Sequence, residues 1–309
     1  MNNMKYDKSK VLVSISCTAY NHEPYIAQCL EGFVMQKTNF KFEAIVHDDA
    51  STDKTAEIIR EYAEKYPDII KPIYEAENQY SKYDGSIRRI MNAQMRGKYI
   101  AMCEGDDYWI DPMKLQKQVD FLDNNPNYSL CCHDAFRYYE GKVNQASYFN
   151  DYIVDCELCI TDILNQWVIP TASMLYRQSI MEGNEVFCTK YKPITGDLII
   201  QLICAAKGNI WYINQPMSVY RVNLKGDSMT ARSKGREEYL FHKQMQMYRD
   251  FSTYTDGKFE EVIQNAINFK TIQFKISQQK RKQGFVIYYL THPIALIKRI
   301  KSYVHGHKR

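Results

Sequence analysis

A chain of 309 residues that is 45% hydrophobic and 25% charged has room for one large α/β domain with an appended segment, or for two modest domains. Its formal charge of +4 hides a split: Lys280 to Arg309 carries eight Lys and Arg and no Asp or Glu, which leaves residues 1–279 at −4. That distribution disfavours a uniformly basic nucleic-acid binder and directs attention to a basic tail suited to an anionic surface.

In chain order, Val11 to Cys17 is a β-branched run that reads as a buried strand. Asn21 to Glu23 offers caps for a helix with Pro24 in its first turn and Ile26, Leu30, Phe33 and Val34 on one stripe. Phe42 to His47 is a second strand ending on Asp48-Asp49. Ser51, Thr52 and Asp53 then supply capping oxygens for a helix through Ile58, Ile59 and Tyr62, stopped before Pro67. Ile69 to Tyr74 is a third strand, followed by a helix near Ser86 to Met95 that Gly97 closes. Tyr99 to Cys103 is a fourth strand, and it runs directly into Glu104-Gly105-Asp106-Asp107. Asp111-Pro112 opens a helix bearing Leu115, Val119 and Leu122, before a fifth strand near Tyr128 to Cys132. From residue 135 to about Asn223 the pattern mixes strand and helix, and residues 234–305 read as helical.

The β-α-β-α order predicts a mostly parallel sheet with helices on both faces. Such sheets bind ligands beyond the carboxyl ends of their strands. Thr18-Ala19-Tyr20, Asp48-Asp49-Ala50 and Gly105-Asp106-Asp107 all stand there, so three strand ends are expected to face one cleft.

Asp106 and Asp107 are adjacent on a tight turn and repel one another unless a cation or donors satisfy them. A hard divalent ion, Mn²⁺ or Mg²⁺, is the natural solution and keeps open positions for substrate phosphates. A solvated acidic turn capping the next helix is the alternative, although Asp111 already serves that helix. The nine cysteines, an odd count lying largely in apolar runs (Cys17, Cys103, Cys131, Cys132, Cys204), read as free thiols in a cytoplasmic protein with no leader. Cys156-Glu157-Leu158-Cys159 has redox or half-zinc-site spacing, but no second such pair accompanies it.

The runs Ser14-Ile15-Ser16-Cys17-Thr18-Ala19-Tyr20-Asn21, His47-Asp48-Asp49-Ala50-Ser51-Thr52-Asp53 and Glu104-Gly105-Asp106-Asp107 together resemble the family 2 glycosyltransferases of the GT-A fold. Glu104 stands where the family more often has aspartate. The resemblance covers about residues 10–225. It implies a Rossmann-like, mostly parallel central sheet flanked by helices, with a C-terminal helical extension. The implied catalytic domain is residues 1–230, with nucleotide-sugar binding in 10–135 and the acceptor and base region in 136–230; residues 231–309 form the basic helical extension.

Residue by residue, the resemblance implies that Thr18, Tyr20 and Asn21 line the nucleoside pocket, with Tyr20 stacking on the base. Asp49 would accept from that base, most simply the N3–H of a uracil. Asp106 would contact the ribose or the metal, and Asp107 would ligate the metal. Arg88 reaches the nucleotide or its diphosphate, or else is a solvated helix arginine beside Arg89. Asp197, in Pro193-Ile194-Thr195-Gly196-Asp197-Leu198, is the general base for the acceptor hydroxyl, or else the cap of the helix Leu198 to Ala206. In Met217 to Asn223, Arg221 (or Lys225 beyond it) would pair with the diphosphate, while Asn223 stands where relatives often carry histidine. Gly226-Asp227-Ser228 reads as a lid or a surface turn, and Trp109 as a wall of the sugar pocket or, more simply, as packing.

The implied reaction is inverting transfer of a hexosyl or N-acetylhexosaminyl group from a nucleotide-sugar, most simply a UDP-sugar, to a saccharide or polyprenyl-linked saccharide. A nucleotidyltransferase would carry a Gly-rich basic loop after its first strand, which Thr18-Ala19-Tyr20-Asn21 is not. A non-catalytic carbohydrate or nucleotide binder of the same fold is the other alternative. No run approaches the roughly 18–20 apolar residues that span a bilayer. Phe285 to Ile297, flanked by Lys280-Arg281-Lys282 and Lys298-Arg299, suits an amphipathic stretch within 280–309 on an anionic inner leaflet, or a helix packed on the domain.

Overall fold

The computed structural model describes residues 6–7, 9–82, 84–140, 146–182, 196–222 and 235–291, with side chains described as far as residue 280. Val11–Ala19 (β1) lies between two parallel neighbours, Lys41–Asp48 (β2) and Tyr99–Met102 (β4), and Ile70–Tyr74 (β3) extends β2 in parallel. Beyond β4 come Leu175–Arg177 (β9), Tyr128–Tyr139 (β6), Asn209–Val222 (β10) and Tyr108–Trp109 (β5), giving the order β3-β2-β1-β4-β9-β6-β10-β5. Ala146–Tyr148 (β7) pairs with β6, and Cys156–Leu158 (β8) pairs with β10.

The parallel expectation holds for the N-terminal half and for the long β6–β10 ladder. The short strand β9 runs antiparallel to both β4 and β6, and β5, β7 and β8 also pair antiparallel, so the sheet is mixed and curled. Strand β6 runs seven residues beyond the predicted Cys132. Strand β10, 14 residues long, lies in the stretch whose pattern looked irregular. Its period is interrupted at Pro216, where the pairing register shifts on both sides, as a proline in a strand requires.

Helices Ile26–Val34 (α1), Thr55–Lys65 (α2), Ser86–Gln94 (α3) and Lys114–Asn124 (α4) follow the predicted stripes, with Ile26, Leu30 and Phe33 of α1 and Leu115, Val119 and Leu122 of α4 buried. Two boundaries differ. The His22 carbonyl accepts the N–H groups of both Tyr25 and Ile26, so Pro24 belongs to the turn before α1 and not to its first turn. Gly97 lies past the end of α3, pressed onto β1: a Cβ there would stand 2.4 Å from the Ser14 nitrogen. Ile160–Asn165 (α5), Gly196–Lys207 (α6) and Glu237–Tyr254 (α7) complete the larger of two compact units, residues 1–259; the Tyr248 hydroxyl of α7 donates to the Leu164 carbonyl at 2.8 Å.

The second unit, residues 260–309, contains the helix Glu260–Thr291 (α8). Among the described residues no helix is long and apolar enough to cross a membrane. The basic-tail reading of Phe285 to Ile297 falls outside the described side chains. Cys156 and Cys159, like the other described cysteines, are free thiols, and Cys159 serves as the cap of α5, its N–H donating to Asp162.

One core residue is a charge in an apolar place. Lys114 is fully buried, donates to Gln118 Oε1 at 2.8 Å and lies 4.1 Å over the Trp109 ring. Burial pushes its ammonium down to about 7, against the opposing pull of Cys103 and Cys131. Between that value and 10.5 the unfolded chain binds more protons than the folded one, so this lysine makes stability rise with pH across the window. Lys114→Met is therefore expected to be more stable than the parent at pH 7, by a few kcal/mol at ~1.4 kcal/mol per unit. The advantage should fade as pH approaches 10; urea unfolding of both proteins across that range checks it, and a pH-independent difference refutes it.

Candidate active site

The loops after β1 and β2 are sewn together. Asn21 N–H donates to Ser51 Oγ at 2.9 Å, His22 N–H to Thr55 Oγ1 at 2.8 Å and Glu23 N–H to Asp53 Oδ2 at 3.0 Å. In return Thr52 N–H donates to Asn21 Oδ1 at 2.8 Å, and Lys54 N–H to Glu23 Oε2 at 3.2 Å. Asn21 and Ala50 both hold left-handed backbone, with φ of 54° and 60°. Asparagine tolerates this; alanine pays about 1 kcal/mol or more in strain, and such strain gathers at functional sites. Side-chain oxygens of Asn21, Ser51 and Asp53 thus take backbone N–H groups of the opposite loop and join the two strand ends. Thr18 and Tyr20 stand half-buried at the same strand end.

Asp49 is buried, and both of its oxygens are engaged: Oδ1 accepts Gln79 N–H at 2.6 Å and Oδ2 accepts Tyr80 N–H at 3.0 Å. Each carboxylate oxygen retains a second lone pair, so the residue anchors the 79–80 loop and still has acceptor capacity. Its neighbour Asp48 keeps Oδ1 buried with no hydrogen-bond partner among the described residues.

The acidic turn is pulled onto β1. Gly105 N–H donates to the Thr18 carbonyl at 2.9 Å, and a Cβ on Gly105 would lie 2.8 Å from His22 Nδ1 and 3.0 Å from Ala19 Cβ. Only glycine allows that approach. Asp107 is 1% exposed; its Oδ1 accepts the Arg221 N–H at 2.8 Å, while Oδ2 is buried and unpartnered. Burial, and then the Asp106 carboxylate, push the Asp107 carboxyl well above the usual range. Glu104 is exposed on the turn, with protein around it. That enclosure, with Asp106 and Asp197 beside it, raises its carboxyl to about 8.

Asp197, distant in sequence, is thereby placed in the electrostatic field of the acidic turn. It is the second residue of α6, behind Gly196, and its Oδ2 accepts from Thr171 Oγ1 at 3.2 Å. Arg88 Nη2 donates to the Gly196 carbonyl at 3.2 Å, which puts Arg88 at the head of the helix that carries Asp197.

Arg221 is brought to the turn in an unexpected posture. Its Nη1 donates to the Asp106 carbonyl at 2.6 Å, its Nη2 to Gln28 Oε1, and its guanidinium lies 4.4 Å over Tyr108 and 5.1 Å over Tyr25. It braces the turn from behind. Lys225, Asn223 and Gly226-Asp227-Ser228 lie outside the described residues. Trp109 packs: it is 2% exposed, and its indole N–H donates to the Ala172 carbonyl at 2.8 Å.

Sequence reasoning passed over His22. Its Nδ1 is buried without a hydrogen-bond partner, and burial lowers its basicity against the attraction of Asp106 and Asp53. Its position one residue beyond Thr18-Ala19-Tyr20-Asn21 was the available signal. Among the described residues no three His, Cys, Asp or Glu side chains form a cage for a metal ion. A pair of carboxylates is nonetheless a fitting partial ligand set for a hard cation that shares its remaining positions with phosphate and water. The orphaned buried Oδ2 of Asp107, beside Asp106, is the feature such an ion would satisfy.

The fold has known counterparts. TarS of Staphylococcus aureus, solved with UDP-GlcNAc, superposes with a TM-score of 0.58 at 18% identity over 78% of this chain and 66% of that one. A mannosyltransferase of Pyrobaculum calidifontis, solved with GDP-Man and Mn²⁺, superposes with a TM-score of 0.58 at 17% identity over 85% of this chain and 70% of that one. These are GT-A folds. In sequence, an uncharacterized protein of Mycobacterium bovis is 36% identical over 214 residues, 69% of this chain, and the match spans 60% of that relative's length. An uncharacterized glycosyltransferase of Nostoc is 27% identical over 73% of this chain and 69% of its own. The profile of Glycosyl transferase family 2 matches residues 14–182, more than half of the chain and both of the paired loops and the acidic turn; the chain belongs to that family.

Proposed function

We propose that the chain transfers a sugar, with inversion, from a nucleotide-sugar to a hydroxyl of a saccharide acceptor, with Asp197 as general base. The observation that carries this reading is that two distant segments bring carboxylates within electrostatic reach: Asp197 at the head of α6 acts on Glu104 of the turn after β4. Thr171 holds Asp197 Oδ2 and leaves Oδ1 to take the acceptor proton. As the acceptor oxygen bonds to the anomeric carbon, the bond to the diphosphate breaks from the opposite face and nucleoside diphosphate leaves.

Asp106 and Asp107 are the residues to hold Mn²⁺ or Mg²⁺, which when bound offsets charge on the diphosphate. Asp106 is the more accessible of the two, and Asp107 lies beneath it, fixed by the Arg221 N–H. Thr18, Tyr20, Asn21 and Asp49 bound the nucleoside, most simply uridine, and Arg88 supplies positive charge beside the base helix. We place Arg221 as a brace for the turn, with one N–H of Nη1 and one of Nη2 committed to Asp106 and Gln28 and its charge felt by the donor. The donor sugar is a hexosyl or N-acetylhexosaminyl group. A lipid-linked acceptor at the cytoplasmic face of an anionic membrane would suit the basic stretch 280–309.

The test is a panel of UDP- and GDP-sugars with Mn²⁺, Mg²⁺ or chelator, read by thermal shift and by release of nucleoside diphosphate. Metal-dependent stabilisation and hydrolysis by at least one UDP-sugar are expected. No response to any nucleotide with either metal refutes the reading.

A further inference from the structure

Trp167 is 48% exposed although it is anchored, its indole N–H donating to the Ile169 carbonyl at 3.2 Å. It stands edge-on to two other rings, Phe149 at 5.0 Å and Tyr220 at 5.1 Å, and those two meet each other at 5.8 Å, every pair close to perpendicular. The Arg137 guanidinium lies 4.3 Å over Phe149 and steadies that ring. Three separate segments therefore hold one indole in a fixed orientation while half of it remains open. Trp109, by contrast, satisfies its N–H and is buried.

The location gives the indole a purpose. Gln201 Nε2 donates to the same Ile169 carbonyl at 3.1 Å, and Thr171 Oγ1 donates to Asp197 at 3.2 Å. Asp197 and Gln201 are four residues apart on α6, hence on one helix face, so segment 167–171 follows the face that carries the base. On the other side, Tyr220 immediately precedes Arg221, whose N–H is bonded to Asp107. The aromatic cluster is thus tied by one segment to the base and by another to the acidic turn.

We propose that Trp167, backed by Tyr220 and Phe149, is the platform on which a ring of the acceptor saccharide stacks. Resting on the proposed function, this assigns a recognition element to the acceptor side. The apolar C–H face of a pyranose covers the open indole face, and stacking orients a hydroxyl toward Asp197. A fixed indole loses little side-chain entropy on binding, which lowers one of the costs of association.

The experiment measures transfer from the best donor of the nucleotide-sugar panel to a set of p-nitrophenyl α- and β-glycosides, alongside donor hydrolysis without acceptor. Trp167→Ala is expected to raise the acceptor KM about tenfold, the scale of one aromatic stacking contact. It should leave the donor KM and acceptor-free hydrolysis within about twofold, which also shows that the variant is folded. Trp167→Phe should recover part of the loss. An unchanged acceptor KM in Trp167→Ala, a parallel rise in donor KM, or failure of the wild-type chain to use any of the glycosides overturns the platform. Absence of any nucleotide-sugar hydrolysis by the wild type is a different result, and it removes the underlying function as well.

Discussion

Replacing Asp197 by asparagine is expected to cut glycosyl transfer by about a thousandfold while leaving nucleotide binding intact. The substitution is isosteric, and asparagine retains a carbonyl oxygen for Thr171 Oγ1, now 3.2 Å away, so the head of α6 should keep its form. What disappears is the group that accepts the acceptor's proton. On the proposed reading the nucleoside rests on β1, β2 and their loops, and the bonds that join those loops do not involve that carboxylate. Rate of transfer and UDP affinity, from isothermal titration with Mn²⁺, should therefore separate. Full activity in Asp197→Asn would send the search for the base elsewhere, whereas loss of UDP binding would mean that the residue serves the donor.

The second large effect belongs to the acidic turn. Asp107→Asn should abolish metal-dependent donor turnover, by about a hundredfold or more, with little loss of fold. The amide oxygen can still accept the Arg221 N–H that Asp107 Oδ1 takes at 2.8 Å, so the brace between β10 and the turn survives. The negative charge does not survive, and with it goes the buried oxygen that lacks a partner. Asp107→Ala removes both and should also lower the melting temperature. Comparing the two variants separates the ligand from the brace. If Asp107→Asn keeps its Mn²⁺ response and turnover, Asp107 is structural and the cation rests on Asp106 alone.

Much of the N-terminal half of the sheet was legible because strand ends in a parallel sheet announce themselves. Val11 to Cys17 and Phe42 to His47 are apolar runs, each followed by a polar turn, and Gly105 marks the close approach of a third. Asp197 was legible as an acidic residue before an apolar helical run. Less visible were the partners of these residues. The sheet's second half depends on β9, three residues long, and on β10, whose periodicity Pro216 interrupts, so neither carries a clear signal. The roles of Asn21, Ser51 and Thr52 in joining two loops depend on backbone N–H groups, which no side-chain pattern reveals.

The sequence by itself determined the strand–helix order, the three polar strand ends, the doubled aspartate that asks for a cation and the family resemblance. These follow from local properties: hydrophobic period, turn chemistry and charge spacing. Only the tertiary structure decided that Arg221 backs the turn through Asp106 and Gln28, that Asp107 keeps one oxygen buried and unpaired, and that Trp167 stays half open. The physical reason is the same in each case. Burial and orientation are set by contacts between segments up to a hundred or more residues apart, such as Arg221 with Asp107, and those contacts exist only once the sheet has closed.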